Sequence, residues 1–192
     1  MALPQRYVEK EFYTEEEYLT LEEDALHKSE YVNGVIRAMS GGTEEHATIP
    51  MSVGAALWNA LRGRNCRVMS SDMKIWTAGA MYYPDISVVC GPSQFHGRGR
   101  TVISNPILIV EVLSPSTEDK DRGEKFLRYQ QIETLMSYLL VSQNAPRVEQ
   151  FSRGESGHWD CTAVSGLESI LHIPTLSVTL ALADIYDQID FG

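Results

Sequence analysis

The stretch Ile107-Leu108-Ile109-Val110-Glu111-Val112-Leu113 decides the fold, because it is apolar at both parities and interrupted by one acid. A strand with one wet face alternates; a run that is apolar on both faces predicts a strand covered from both sides. Behind it, a helical stretch from about Thr117 to Gln131 leads to a second apolar strand at Ser137–Val141. Strand, helix and strand in this order form a crossover unit, so the sequence predicts an α/β protein with a central mixed β-sheet flanked by helices.

Upstream, extended stretches are expected at Cys66–Ser70, Asp72–Thr77 and Tyr82–Cys90, followed by a loop with Pro92, Gly97 and Gly99. From Thr43 to about Leu61, Ile49, Val53, Leu57 and Leu61 recur at spacings of four and predict a helix, which Pro50 either kinks or delays. Asn33-Gly34 supplies the positive φ angles of a tight turn and predicts a hairpin between Glu30–Val32 and Val35–Met39. At the N-terminal end, Thr14 and Glu17 form a capping box, with Tyr18, Leu21 and Leu26 roughly on one helical face. Downstream, short strands are expected at Arg147–Phe151, Trp159–Val164 and Ser177–Leu182, closing against the same sheet or forming an edge. No repeat or Ser/Gly/Pro-rich linker divides the chain, so residues 1–192 are expected to form a single domain.

The 192 residues are 43% hydrophobic and 22% charged, which suits one domain with a real core and excludes fibrous or disordered classes. A net charge of -10 argues against a whole-surface grip on nucleic acid. The acid is unevenly placed, however. Residues 1–30 hold three bases and nine acids, residues 31–153 thirteen and eleven, and residues 154–192 none and six. Arginines and lysines are thus concentrated mid-chain, where an anionic substrate can still be met. Cys66, Cys90 and Cys161 are odd in number and show no CxxC spacing, which argues against a disulfide framework and a zinc site and points to a reducing cytoplasm. No apolar run approaches the ~20 residues of a membrane span, and residues 1–11 contain no apolar leader, so a cytoplasmic protein with no membrane partner is expected.

Glu111 is the residue that points to chemistry. An unpaired carboxylate inside apolar structure costs several kcal/mol, so something must compensate its charge: an Arg or Lys partner, a solvated strand end, a metal ion or a catalytic role. Asp85 in Tyr83-Pro84-Asp85-Ile86-Ser87-Val88-Val89 is a second acid at the mouth of another apolar strand. Two such acids on adjacent strands suggest a shared ligand, and an oxygen-rich site suits Mg²⁺ or Mn²⁺. Metal-assisted phosphodiester hydrolysis is the reaction class that fits. No phosphate-binding P-loop and no G-x-S-x-G turn is present, so no nucleotide cofactor is expected.

Tyr83-Pro84-Asp85, the run Val110-Glu111-Val112-Leu113-Ser114-Pro115-Ser116-Thr117 and the segment Asp121-Arg122-Gly123-Glu124-Lys125-Phe126-Leu127-Arg128-Tyr129 closely resemble the Uma-type family of restriction endonucleases. That family lies within the restriction-endonuclease-like, PD-(D/E)xK nuclease superfamily. Glu30-Tyr31-Val32-Asn33-Gly34, Gly41-Gly42 with His46, and Ser70-Ser71-Asp72 match in the same order, so the resemblance spans about residues 12–188. It implies a restriction-endonuclease-like core with an N-terminal helix and β-hairpin, a divalent metal on Asp85 and Glu111, and DNA as substrate. The superfamily lysine two residues after the second acid is replaced here by Leu113. The matching lysine is Lys125, in the following helix with Asp121 and Tyr129 at spacings of four. By the same resemblance, Glu30 contributes from the hairpin and His46 serves as a further metal ligand. The resemblance also implies a homodimer. A non-catalytic dimer that keeps the fold as a binding or scaffolding module is the alternative, suited by Leu113 and the acidic flanks, and it gains if Lys125 faces away from the two acids. Asp121 to Lys125 as a mere surface ion pair is the competing reading of that helix.

Overall fold

The computed structural model describes residues 10–191. Helix α1 (Glu15–Glu23) opens with the expected capping box, Thr14 Oγ1 accepting from the Glu17 amide and Glu17 Oε2 from the Thr14 amide. The helix stops before Leu26, which is 94% exposed instead of joining Tyr18 on the buried face. The hairpin β1 (Ser29–Val32) and β2 (Val35–Ala38) turns on Asn33 and Gly34, with φ of 48° and 91°. Helix α2 (Glu44–Ala60) is capped by Thr43 and runs through Pro50. The proline sits in the second helical turn, so the helix starts early; it buries Ile49, Val53 and Leu57 completely.

Strands β3 (Cys66–Ser70) and β4 (Lys74–Thr77) follow. The expected single strand Tyr82–Cys90 is divided into β5 (Ala80–Tyr82) and β6 (Ile86–Cys90), and these belong to different sheets. Pro84 lacks a backbone donor, so the ladder breaks where it stands, and Tyr83-Pro84-Asp85 becomes the corner at which the chain changes sheet. The short β7 (Val102–Ile103), not foreseen in the sequence, pairs parallel with β4. Next come β8 (Leu108–Leu113), helix α3 (Glu118–Lys120), a π turn (Asp121–Lys125) and α4 (Phe126–Tyr129) without a break, then β9 (Ser137–Ser142). Strands β10 (Arg147–Arg153) and β11 (Trp159–Ser165) extend the sheet, while β12 (Ile170–Ile173) and β13 (Val178–Ala181) pair with each other before α5 (Leu182–Ile185).

The expected central mixed sheet is the six-stranded one, ordered β11-β10-β9-β8-β6-β3; a second sheet, β2-β1-β5-β4-β7, and the β12-β13 pair accompany it. In the six-stranded sheet β8 runs parallel to β9 and antiparallel to β6. All six β8 residues are buried, as the double-parity run requires. Leu108, Val110 and Val112 pack toward α2 and α5, whereas Ile109 and Leu113 pack toward Phe126 and Tyr129 on the opposite side. Each buried aliphatic side chain contributes roughly 1.5–3 kcal/mol, so this strand is firmly held in the middle of three layers. Glu111 shares the parity of Ile109 and Leu113 and therefore faces the helix formed by α3, the π turn and α4.

The cysteine expectation is overturned. Cys66 and Cys90 are register partners on β3 and β6 and form a disulfide, with Cα atoms 4.0 Å apart. Distance along the chain misled the reading, since an antiparallel pair brings residues 24 apart into direct opposition. Cys161 is the free, exposed thiol. Cysteine usage therefore no longer argues for a reducing compartment. No helix among the described residues is long and apolar enough to cross a membrane.

Candidate functional site

The seam between the two sheets gathers the predicted acids. One step beyond the last β6–β8 pair, Ile86 with Val110, the same antiparallel register sets Asp85 opposite Glu111. With Pro84 ending the ladder, the Asp85 side chain takes over as acceptor: its Oδ2 receives the Val112 amide at 2.6 Å. Its other oxygen, Oδ1, lies 3.8 Å from His46 Nε2, which α2 delivers from its first turn. Asp85, Glu111, Lys125, Glu30 and His46 all line one cavity of about 120 Å³, together with Tyr83, Asp121, Arg37, Ser116, Thr117 and Lys120.

Lys125 does not face away. Its Nζ lies 3.2 Å from Glu111 Oε1, 3.2 Å from Glu30 Oε1 and 3.1 Å from Asp121 Oδ1. Glu111 Oε1 also accepts from the Tyr129 hydroxyl at 3.1 Å. The Asp121–Lys125 pair is thus no surface contact, since the two residues are only 1% and 7% exposed. A π turn carries both, adding a residue to the helical turn at the point where they meet Glu111. Glu30 comes from the five-stranded sheet, Glu111 from the six-stranded one, and Lys125 ties both to the helix between them.

Four carboxylates, those of Glu30, Asp85, Glu111 and Asp121, share this pocket with one buried ammonium, that of Lys125, while Lys120 is exposed and Arg37 is paired with Glu124. Burial pushes the Glu111 carboxyl well above its usual range, and the attraction of Lys125 only partly opposes it. Asp85 is also raised by burial, against the Val112 amide, His46 and Lys125, which favour its charged form. For Lys125, burial acts to lower the pKa, but Glu111, Glu30 and Asp121 outweigh it and hold the ammonium charged well beyond its usual range. Buried carboxyl groups thus outnumber buried cations; Glu30 Oε1 and Asp121 Oδ1 have the Lys125 ammonium as their ion-pair partner, and His46 Nδ1 is buried with no hydrogen-bond partner among the described residues.

Among the described residues no three His, Cys, Asp or Glu side chains form a ready-made metal cage. Mg²⁺ keeps several waters and binds through one or two carboxylates plus substrate phosphate. Asp85 and Glu111 supply hard oxygen donors at the cavity, so the donor set fits such an ion.

Several contributors were missed in the sequence. Asp121 was read only as a helical partner of Lys125, and Arg37, Ser116, Thr117 and Lys120 were not singled out for the site. Arg37 donates to Glu124 at 2.8 Å, so its charge is already paired. Lys120 is exposed at the rim and forms no ion pair among the described residues. Asp72, in the Ser70-Ser71-Asp72 stretch that matches the family, lies outside the cavity and pairs with Lys28 at 2.6 Å on the surface. Lys74 belongs to a separate buried network, donating to the Tyr83 hydroxyl at 2.8 Å and lying 3.7 Å from Glu22, whose Oε2 also accepts from Tyr83. This network braces the residue just before Pro84-Asp85.

Comparison with known proteins gives a consistent answer. Two uncharacterized proteins of Synechocystis are similar to the chain: one is 35% identical over 178 residues, 92% of each chain, and the other 33% identical over 155 residues, 80% of this chain and 88% of the relative. A solved structure from Anabaena variabilis, described as a "putative nuclease belonging to DUF820", superposes with a TM-score of 0.72 over 88% of this chain and 95% of its own, at 17% identity. That likeness establishes the fold. The family model described as Uma2, "Putative restriction endonuclease", matches residues 15–183, and the chain belongs to this family.

Proposed function

We propose that this protein is a metal-dependent endonuclease that hydrolyses DNA phosphodiester bonds, with Mg²⁺ or Mn²⁺ held by Asp85 and Glu111 and with His46 beside them. The observation that carries this reading is the surplus of buried carboxylates over cations around Lys125, open to solvent through one cavity. A divalent cation bound there would neutralise that surplus, polarise the phosphoryl group and make a water acidic enough to attack it.

The chain's own residues account for the rest. Lys125 is held by Glu30, Glu111 and Asp121 in one orientation, so its ammonium is aimed before substrate arrives and can stabilise the charge that develops on the phosphoryl oxygens. Tyr129 fixes Glu111 from behind, and the Val112 amide fixes Asp85, leaving one oxygen of each carboxylate for ligation. Glu30 orients Lys125 and is positioned to accept a proton from water in the cavity. At about 120 Å³ the cavity is well below the ~300–1,000 Å³ of sites that engulf small molecules, which favours a polymer backbone presented at the mouth over a free nucleotide. Exposed Lys120, with Ser116 and Thr117, gives the rim a cation and hydroxyls for that backbone.

The test is cleavage of plasmid and linear DNA with Mg²⁺ or Mn²⁺, in parallel with isothermal titration of the metal. Wild type should cut, EDTA should stop it, and Asp85→Ala or Glu111→Ala should lose both cutting and metal binding. Lys125→Ala should lose cutting while still binding metal. Undiminished cleavage by both acid variants would end the proposal.

A further inference from the structure

We propose that α2 is a self-association surface through which two copies of this chain pair antiparallel about a two-fold axis. One face of α2 is fully spent on the core, with Ile49, Val53 and Leu57 at 0% exposure. The opposite face is not polar as a solvated helix face should be: Met51 is 72% exposed and Trp58 59%. These two residues belong to a continuous stripe, Glu44, Thr48, Met51, Ala55, Trp58 and, in the turn just after the helix, Arg62. The stripe advances by alternating steps of four and three, the spacing at which a helix presents one seam to a partner helix.

The order of residue types names the partner. Reversing the stripe and laying it on itself sets Glu44 against Arg62, Thr48 against Trp58 and Met51 against Ala55, with every pair centred on the same point of the helix. Each bulky side chain meets a small one, and each end joins opposite charges. Neither Glu44 nor Arg62 forms an ion pair among the described residues, so both are available. A parallel pairing would instead oppose Glu44 to Glu44, Arg62 to Arg62 and Trp58 to Trp58. The surface is therefore complementary to itself only in the antiparallel sense, which is what an isologous two-fold contact requires. One helix per copy buries less than the ~1,200 Å² of standard interfaces, so association is expected in the micromolar range.

Sedimentation of the full chain from about 1 to about 200 µM should show monomer passing to dimer in this range. Trp58→Glu should remain monomeric at the top concentration with an unchanged circular-dichroism melt, because the residue lies outside the core. Glu44→Arg or Arg62→Glu alone sets like charges at both ends and should weaken association about tenfold, and the two combined should restore it. A chain that stays monomeric to about 200 µM, or a dimer indifferent to Trp58→Glu and to the charge reversals, overturns the proposal. This outcome is independent of whether the protein cuts DNA.

Discussion

Replacing Glu111 by Gln separates the structural cost of the cluster from its use. Gln keeps the size of the side chain and an oxygen able to accept from Tyr129 and Lys125, so the two contacts at 3.1 and 3.2 Å survive in form. What disappears is one of the three carboxylates around the Lys125 ammonium, which retains Glu30 and Asp121 as partners. A buried ion costs several kcal/mol in lost hydration, and because Lys125 keeps two carboxylate partners and the hydrogen bonds survive, removing one of the surplus charges is expected to return a small part of that, about 1–2 kcal/mol. For a chain of this size that raises Tm by roughly 2–8 °C in EDTA at pH 8. The pH dependence has a definite sign. Glu111 binds its proton more tightly in the folded state than at its ordinary value of 4.5, so stability is fullest below that value and falls as pH rises toward the raised one, then levels off. The gain of Glu111→Gln over wild type should therefore be slight at pH 4 and complete at high pH. Mg²⁺ should act in the opposite way: at about a hundred times its Kd it adds ~2.7 kcal/mol to wild type, or roughly 5–10 °C, and nothing to the variant. Thermal melts with and without Mg²⁺ across pH read both effects. A variant less stable than wild type in EDTA, yet still raised by Mg²⁺ to the same degree, would refute the charge argument.

Lys120→Gln should raise KM for DNA severalfold with kcat nearly unchanged and flatten the salt dependence of binding by about one unit of log slope, as read by fluorescence anisotropy over a salt series; an unchanged slope would remove Lys120 from the rim contact. On β10, Arg122 hydrogen bonds hold Glu149 below the usual carboxylate range, with Arg147 adding to them. Wild type therefore loses stability as pH falls from 4.5 through that lowered value, and Glu149→Gln should show a shallower acid limb in urea titrations. Reducing the Cys66–Cys90 bond, which closes a separation of 24 residues, should lower stability by up to about 3 kcal/mol in denaturation with and without dithiothreitol, and Cys66→Ser should be indifferent to the reductant.

Much of this molecule is legible in its sequence because the signals are local. The Thr14/Glu17 cap, the Asn33-Gly34 turn and the buried run at 107–113 each specify a backbone state from a few neighbouring side chains. Membership of the family could be read from short motifs in a fixed order. What escaped was set by contacts distant in the chain. The Cys66–Cys90 bond depends on a strand pairing that no spacing rule gives, and the division of residues 80–90 between two sheets depends on where Pro84 falls relative to neighbouring strands. Asp121 looked like half of a helical ion pair because nothing local says that Glu30 and Glu111 close over it.

The position of Lys125 follows from the same packing. Along β8, Glu111 and Leu113 face the same side, so a lysine at 113 would be the direct way to bring an ammonium beside Glu111. That side is covered: Leu113 is 5% exposed and packs in one cluster with Phe126 and Tyr129 of the helix lying across the strand. A lysine there would need to bury its stem against two aromatic rings before reaching the cavity. The covering helix, however, already passes the carboxylates, and its π turn presents Asp121 and Lys125 to them together. An ammonium delivered from this helix reaches Glu111 at 3.2 Å while position 113 stays apolar, so the strand keeps its core contacts and the site keeps its cation. Leu113 and Lys125 are therefore two halves of one arrangement, and a lysine introduced at 113 would be expected to disturb the aromatic cluster without substituting for Lys125.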